Sequence, residues 1–116
     1  MHLAITGSRT FTNYDRLEKI ILNRYKSKLF DMVIVSGGAR GADNLAERFA
    51  KEHLLPMIIL KPDWKKHGVS AGFYRNQQIV DKADEFIAFW DDRSKGTQDL
   101  IKKVQKACKP LKVIHF

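Results

Sequence analysis

Three glycines and an arginine lie close together in the segment Gly37-Gly38-Ala39-Arg40-Gly41. Glycines allow a sharp turn and let backbone N–H groups approach a ligand with no Cβ in the way. Such N–H groups before a helix bind anions, most often phosphate, and the Arg40 guanidinium offers a bidentate partner. The alternative is a tight turn that needs glycine and binds nothing. We favour the phosphate-binding interpretation.

Two further segments carry similar residues directly after apolar runs. Gly7-Ser8-Arg9 offers a hydroxyl and a planar cation, and Ser94-Lys95-Gly96-Thr97 places two hydroxyls around a glycine before a helix. We expect Ser36 to hold an anionic group together with the amides of the glycine segment. Asp43 has two possible roles, as a helix cap or as an acceptor for a ribose hydroxyl.

Arg75 and Asn76 form another candidate pair. Arg75 either crosses the mouth of the site or makes a structural ion pair with Asp63 or Asp84, and both roles stay open. Asn76 would orient a loop or a base. Trp64 either stacks on a base or covers the core beneath a long loop.

The pattern of apolar residues predicts the elements that position these side chains. Apolar runs predict strands over 2–6, 32–35, 57–60, 86–90 and 111–114. Helical spacing predicts helices over 14–25, 42–53 and 97–107, and a further helix within 71–82 whose start the pattern does not define. It also predicts Asn13 as an N-cap, an irregular stretch from Pro62 to Gly72, and Cys108 in the core. Strict alternation predicts one α/β domain over residues 1–116, a Rossmann-like three-layer αβα sandwich with a five-stranded parallel sheet. The order 3-2-1-4-5 would make the three strands that precede the polar segments neighbours.

Composition narrows the function classes. The chain has 116 residues, 44% hydrophobic and 29% charged, and a formal net charge of +8, which suits an acidic partner or a lysine-rich exterior. A single cysteine and the lack of a leader sequence predict a cytoplasmic protein, and no run approaches membrane-spanning length. The histidines lack ligand spacing, so we expect neither a metal site nor a cofactor. The glycine segment matches neither a Walker sequence nor the Gly-x-Gly-x-x-Gly fingerprint.

Four segments in order resemble the SLOG superfamily, with the YspA/YpsA-related branch the most similar. They are GSRTF, VSGGARGADNLAERFA, PDWKKHGVSAGFYRNQQIV and ADEFIAFWDDRSKGTQDLI, which together run from Ile5 to about Val113. The resemblance implies a Rossmann-like domain that binds a nucleotide or a nucleotide-derived ligand, as a sensor or processor in bacterial or phage conflict systems. The leading hypothesis is therefore a domain that binds a small phosphorylated nucleoside, such as an ADP-ribose-like molecule. Relatives commonly pair, so a homo-oligomer is one expectation.

Two related branches imply alternative functions. The LOG branch is a nucleotide N-glycosidase, or phosphoribohydrolase, with the signature Pro-Gly-Gly-x-Gly-Thr-x-x-Glu. Here Leu100 stands at the catalytic glutamate position, so Asp43 and Asp99 are the candidate catalytic carboxylates if the chain is an enzyme.

The DprA branch binds single-stranded DNA. It has a similar Ser-Gly-x-Ala-x-Gly-Ile-Asp loop, in which Ala42 replaces the isoleucine here, and an Arg-Asn segment. The net charge of +8 and the aromatic residues Trp64, Phe73 and Tyr74 favour this alternative.

Overall fold

A parallel sheet lies at the centre of the computed structural model, which describes residues 1–116. Its strands are β1 (His2–Gly7), β2 (Val33–Ser36), β3 (Met57–Ile59), β4 (Glu85–Trp90) and β5 (Leu111–His115). The helices are α1 (Tyr14–Tyr25), α2 (Ala42–Glu52), α3 (Trp64–His67), α4 (Ala71–Lys82) and α5 (Lys95–Lys106). The strand order is β3-β2-β1-β4-β5 with every pair parallel, which confirms the predicted Rossmann-like fold and its order.

The central strands are buried on both faces because their residues alternate between two cores. In β1, Leu3 and Ile5 belong to the larger core beneath α1 and α2, and Ala4 belongs to the smaller core beneath α4 and α5. Neighbouring strands follow the same alternation, with Ile34 in the larger core and Val35 in the smaller one. Helices therefore cover both faces of the sheet, as a parallel sheet requires.

Capping side chains explain where several helices begin. Asn13 accepts a hydrogen bond from the Arg16 N–H and is the N-cap of α1, as predicted. Ser94 caps α5 in the same way, so this helix begins at Lys95, two residues before the predicted start. Asp63 caps the short helix α3, so the prediction of an irregular stretch from Pro62 to Gly72 was wrong in part.

Cys108 is exposed, so its predicted place in the core was wrong. Helix α5 ends at Lys106, and the backbone at Cys108 has φ 56°, which takes the next residue back toward the helix. The Lys109 N–H then donates to the Val104 carbonyl, and its ammonium group donates to the carbonyls of Val80 and Ala83. The predicted helix ended at Ala107, one residue beyond the observed end of α5, so Cys108 lies in this turn and not on the apolar face of the helix.

None of the helices has the length and apolar character needed to cross a membrane.

Candidate functional site

One groove opens at the carboxyl edge of the sheet, with a volume of about 710 Å³. The loops after β1, β2, β3 and β4 supply eight of its 19 lining residues, and α3, α4 and the start of α5 supply seven. The other four are at the end of β1, in α2 and at Val69. Its lining residues are Thr6, Gly7, Arg9, Thr10, Gly38, Ala39, Asp43, Lys61, Pro62, Trp64, Val69, Gly72, Phe73, Arg75, Asn76, Asp91, Ser94, Gly96 and Thr97.

The groove brings together most of the residues that the sequence singled out. Those that line it are Gly7, Arg9, Gly38, Ala39, Asp43, Trp64, Arg75, Asn76, Ser94, Gly96 and Thr97. Those outside the lining are Ser8, Ser36, Gly37, Arg40, Gly41 and Asp99. Arg40 is exposed, whereas Ser8, Ser36 and Gly37 are buried beneath the loops.

Ser8 holds the loop after β1 in place. Its N–H donates to the Phe89 carbonyl and its carbonyl accepts from the amides of Phe11 and Ala42. Its hydroxyl accepts from the Asp91 N–H at 3.2 Å, so all three polar groups of Ser8 are used within the protein. Arg9, the next residue, is thereby fixed by its backbone while its side chain remains exposed.

The loop after β2, which contains the glycine segment Gly37–Gly41 and is called the glycine loop below, is held together by internal hydrogen bonds. The Gly38 N–H donates to the Ser36 hydroxyl at 3.3 Å, and the Ala39 N–H donates to Asp43 Oδ2 at 3.2 Å. Both amides are therefore already used inside the loop. Gly41 occupies the N-cap position of α2 without any side-chain cap, so Asp43 is not the helix cap that the sequence left open.

Asp43 and Arg75 meet above the backbone of Gly37. A Cβ at Gly37 would lie 2.6 Å from Asp43 Oδ2 and 2.9 Å from Arg75 Nη1. Arg75 donates to the Gly37 carbonyl through Nη1 and to Asn76 Oδ1 through Nε, and it makes no ion pair with Asp63 or Asp84.

The environment of this pair shifts both pKa values. Burial raises the pKa of Asp43, while the Ala39 amide, the Thr6 hydroxyl and Arg75 favour its charged form. Burial lowers the pKa of Arg75, which stays protonated because a guanidinium group titrates so high. The floor of the groove therefore holds a desolvated carboxyl group beside a cation.

Asn76 and Asp99 connect α4 to the start of α5. Asn76 is buried, and its Nδ2 donates to the Gly96 carbonyl and to Asp99 Oδ2, both at 3.0 Å. The ammonium group of Lys103 also pairs with Asp99. The Asp99 carboxylate is thus engaged between two helices and does not line the groove.

Asp91 belongs to the site, although the sequence analysis did not select it. Its Oδ1 accepts from the amides of Arg93 and Ser94 at 2.9 and 2.7 Å, and its Oδ2 accepts from the Thr10 hydroxyl at 3.2 Å. These bonds lower the pKa of Asp91, the Ser94 amide contributing most. An aspartate directly after a strand and before small polar residues is typical of such a turn, and this signal was available.

The charged groups of the lining are cations in the majority. Arg9, Lys61 and Arg75 are opposed by Asp43 and Asp91, and the Asp91 carboxylate is already engaged by loop donors. Lys61, two residues after the end of β3, was also absent from the predicted site. No three His, Cys, Asp or Glu side chains converge in the chain, so these residues do not form a metal site.

Exposed aromatic residues line the same groove. Trp64 is 56% exposed and Phe73 is 45% exposed, although both are large apolar side chains. Tyr74, 55% exposed, lies outside the groove lining and stacks on His67 with 4.0 Å between ring centroids. Trp64 therefore does not cover the core, which was one of its two predicted roles.

Comparisons with known proteins agree with this architecture. A family model described as the YspA, cpYpsA-related SLOG family matches residues 1–67. The Gene 61 protein of Mycobacterium phage D29 is 35% identical over 118 residues, which cover 97% of this chain and 93% of that protein.

Two solved structures of DNA processing protein A (DprA) are also similar. The Helicobacter pylori protein, whose structure was described for its single-stranded DNA binding mode, aligns with a TM-score of 0.73 and 26% identity over 97% of this chain and 64% of that chain. The Streptococcus pneumoniae protein aligns with a TM-score of 0.79 and 18% identity over 97% of this chain and 49% of that chain. At this identity the alignment shows that the two proteins share a fold. The chain thus spans 64% of one DprA chain and 49% of the other. With a family model over its first 67 residues and a relative aligned along nearly its whole length, the chain belongs to the YspA, cpYpsA-related SLOG family.

Proposed function

We propose that the groove binds single-stranded nucleic acid, with phosphates at its cationic side chains and bases on its exposed aromatic rings. The observation that carries this proposal is that Arg9 and Lys61 line the same groove as Trp64 and Phe73. Proteins that bind single strands combine a cationic groove with aromatic stacking platforms. The likeness to H. pylori DprA, described by its single-stranded DNA binding, supports this function over the small-nucleotide hypothesis.

The phosphate contacts come from side chains in this proposal. The amides of Gly38 and Ala39 donate within their own loop, which removes two of the donors that the sequence analysis assigned to phosphate. Arg9 and Lys61 are exposed, so both are available to a phosphate backbone. Binding through such contacts releases counterions and weakens as the salt concentration rises.

The experiment is fluorescence anisotropy of a labelled oligothymidylate of about 12 nucleotides, a length within the range of single-strand site sizes, titrated at several salt concentrations. We expect Arg9→Met and Lys61→Met to weaken binding and each to reduce the slope of log K against log salt by about 0.7. We expect Trp64→Ala to weaken binding by roughly 5-fold to 150-fold, the value of one stacked base, without changing that slope.

The chain offers matched controls near the opposite edge of the sheet. Lys28→Met removes one exposed positive charge, and Phe30→Ala removes one aromatic ring that is 81% exposed. Both residues lie in the 3₁₀ helix Lys26–Asp31 that follows α1, outside the groove. If these controls weaken binding as much as the groove variants do, or if no binding occurs at low salt, the proposal is wrong.

A small nucleotide-derived ligand is the second candidate, and the groove volume favours it. A volume of about 710 Å³ lies within the usual range for small-molecule sites, about 300–1,000 Å³. Calorimetric titration with nucleoside phosphates and ADP-ribose tests this candidate, and chromatography of the same mixtures for free base tests N-glycosidase activity. For such an enzyme the carboxylate would be Asp43, because Asp99 is engaged by Asn76 and Lys103.

A further inference from the structure

We propose that Asp43 accepts a hydrogen bond from a sugar hydroxyl of the bound strand, so that the groove selects a ribonucleotide or a 3′ terminus over an internal deoxynucleotide. This inference rests on the proposed function and names the chemistry that the site recognises. Internal deoxynucleotides carry no sugar hydroxyl, whereas every ribonucleotide has a 2′-hydroxyl and a free 3′ end has a 3′-hydroxyl.

This inference is based on a buried carboxylate oxygen, Asp43 Oδ1, for which the protein supplies no hydrogen-bond partner. Asp43 is 2% exposed and its Oδ2 accepts from the Ala39 N–H, whereas its Oδ1 has no partner in hydrogen-bonding geometry, although the Thr6 hydroxyl and the Gly7 amide lie close enough to favour the charged carboxylate. Asp43 nevertheless lines the groove, so this side chain borders the space that a ligand would occupy. Buried polar atoms are nearly always hydrogen-bonded, and an exception at a groove indicates a group that a ligand completes.

The position of Asp43 determines which ligand group would meet it. A carboxylate oxygen accepts hydrogen bonds and repels phosphate, so the group at Oδ1 must carry a proton. The Ala39 amide holds Asp43 at the floor of the groove, next to the glycine segment that Lys61 and the Arg9 backbone contact, while Trp64 and Phe73 line the same groove and would supply the surface for the bases. Between a phosphate and a base lies the sugar, and its hydroxyl is the donor.

The experiment compares strands that differ in the sugar alone. Anisotropy competition uses uridine oligomers of equal length in four forms: ribose, 2′-fluoro, deoxyribose with a 3′-hydroxyl, and deoxyribose with a 3′-phosphate. The 2′-fluoro sugar keeps the ribose-like ring conformation without the proton, so it separates hydrogen bonding from strand shape. We expect loss of the relevant hydroxyl to weaken binding about tenfold or more, as for a hydrogen bond to a charged group.

The two sources of the hydroxyl give different results. If the 2′-hydroxyl binds Asp43, the ribose strand binds more tightly than the 2′-fluoro strand. If the terminal hydroxyl binds, the two deoxyribose strands differ from each other while the ribose and 2′-fluoro strands bind alike.

Asp43→Asn assigns the preference to this residue, because it replaces the charged acceptor by an amide of the same shape. We expect the affinity ratio between hydroxyl and hydroxyl-free strands to shrink several-fold in this variant, since charge-assisted hydrogen bonds are about twice as strong as neutral ones. Thermal unfolding reports whether the variant folds, and the comparison of strands on the unmodified protein needs no variant.

Equal binding of all four strands would overturn this inference and leave the proposed function standing. A preference that Asp43→Asn retains in full would assign the hydroxyl to another residue and would also overturn it. If no strand binds, the proposed function and this inference fail together.

Discussion

Replacing Gly41 by alanine should separate the glycine loop from the loop after β1. Gly41 has φ 76° and ψ −130°, a conformation that residues with a Cβ avoid at a cost of about 1–3 kcal/mol. A Cβ there would also lie 2.5 Å from the Ser8 carbonyl oxygen and 2.6 Å from two backbone atoms of Arg9. Backbone cannot rotate away as a side chain does, so the two loops must move apart by about 1 Å, at a further cost of roughly 1–3 kcal/mol.

The expected loss of stability is therefore about 2–6 kcal/mol, from a domain stability that is typically about 5–15 kcal/mol. Urea denaturation followed by circular dichroism measures this loss, and the melting temperature should fall by roughly 10 °C or more. Because Arg9 moves with its backbone, oligothymidylate binding should weaken as well.

The matched control is Gly96→Ala. Nothing lies within 4 Å of a Cβ at Gly96, which is in the first turn of α5, so alanine should raise stability by about 0.4–1 kcal/mol. A free energy of unfolding for Gly41→Ala within about 0.5 kcal/mol of that of the unmodified protein, the usual range for a neutral surface change, would refute this prediction.

Two further predictions concern the residues that connect the loops. Asp91→Ala should lower the melting temperature at pH 7, because the amides of Arg93 and Ser94 lose their acceptor. The folded protein lowers the pKa of Asp91 below 3.8, so the stability that this carboxylate contributes is present above pH 3.8 and is lost as the pH falls below it. The difference in melting temperature between Asp91→Ala and the unmodified protein should therefore narrow below pH 3.8. A difference that stays constant down to about pH 2 would contradict this prediction. Asn76→Ala should lower the free energy of unfolding by about 1–3 kcal/mol in urea, because the Gly96 carbonyl and the partly buried Asp99 carboxylate lose their hydrogen-bond donor. The same change at its exposed neighbour, Gln77→Ala, should alter the free energy of unfolding by less than about 0.5 kcal/mol. Equal free energies of unfolding for the Asn76 and Gln77 variants would show that Asn76 has no such structural role.

The fold followed from the sequence because each strong local signal had one physical interpretation. Continuous apolar runs mark strands that are buried on both faces, and the run over Met32–Val35 differs from β2 by one residue at each end. Helix spacing predicted α1 with both ends correct, since Asn13 supplies a cap and the apolar stripe stops at Tyr25. Cys108 was misplaced because the apolar pattern continues past α5, while the backbone leaves the helix at Lys106.

The roles of site residues were harder to predict, because glycine, serine and aspartate after a strand serve two purposes. Ser8 and Ser36 have the residue type of a phosphate ligand, but their hydroxyls hold loops together. Asp91 has the same chemistry and lines the groove while also closing its loop. Residue type alone does not separate these uses, since the distinction depends on which donors the folded chain brings within reach.

The acidic residues around the groove illustrate this distinction and indicate the position at which a ligand would gain the most binding free energy. Asp63 caps α3, Asp91 accepts at both oxygens, and Asp99 is shared by Asn76 and Lys103. Asp43 alone among these acids is buried and keeps one oxygen without a partner. An unsatisfied buried acceptor costs about 1–3 kcal/mol, a sizeable share of the stability of a domain this small. A ligand that donates to this oxygen recovers that free energy on binding, whereas a contact at exposed Arg9 or Lys61 gains less because water already solvates those side chains. The cations and aromatic rings would therefore attract and hold any single strand, and the discrimination among strands would be concentrated at Asp43.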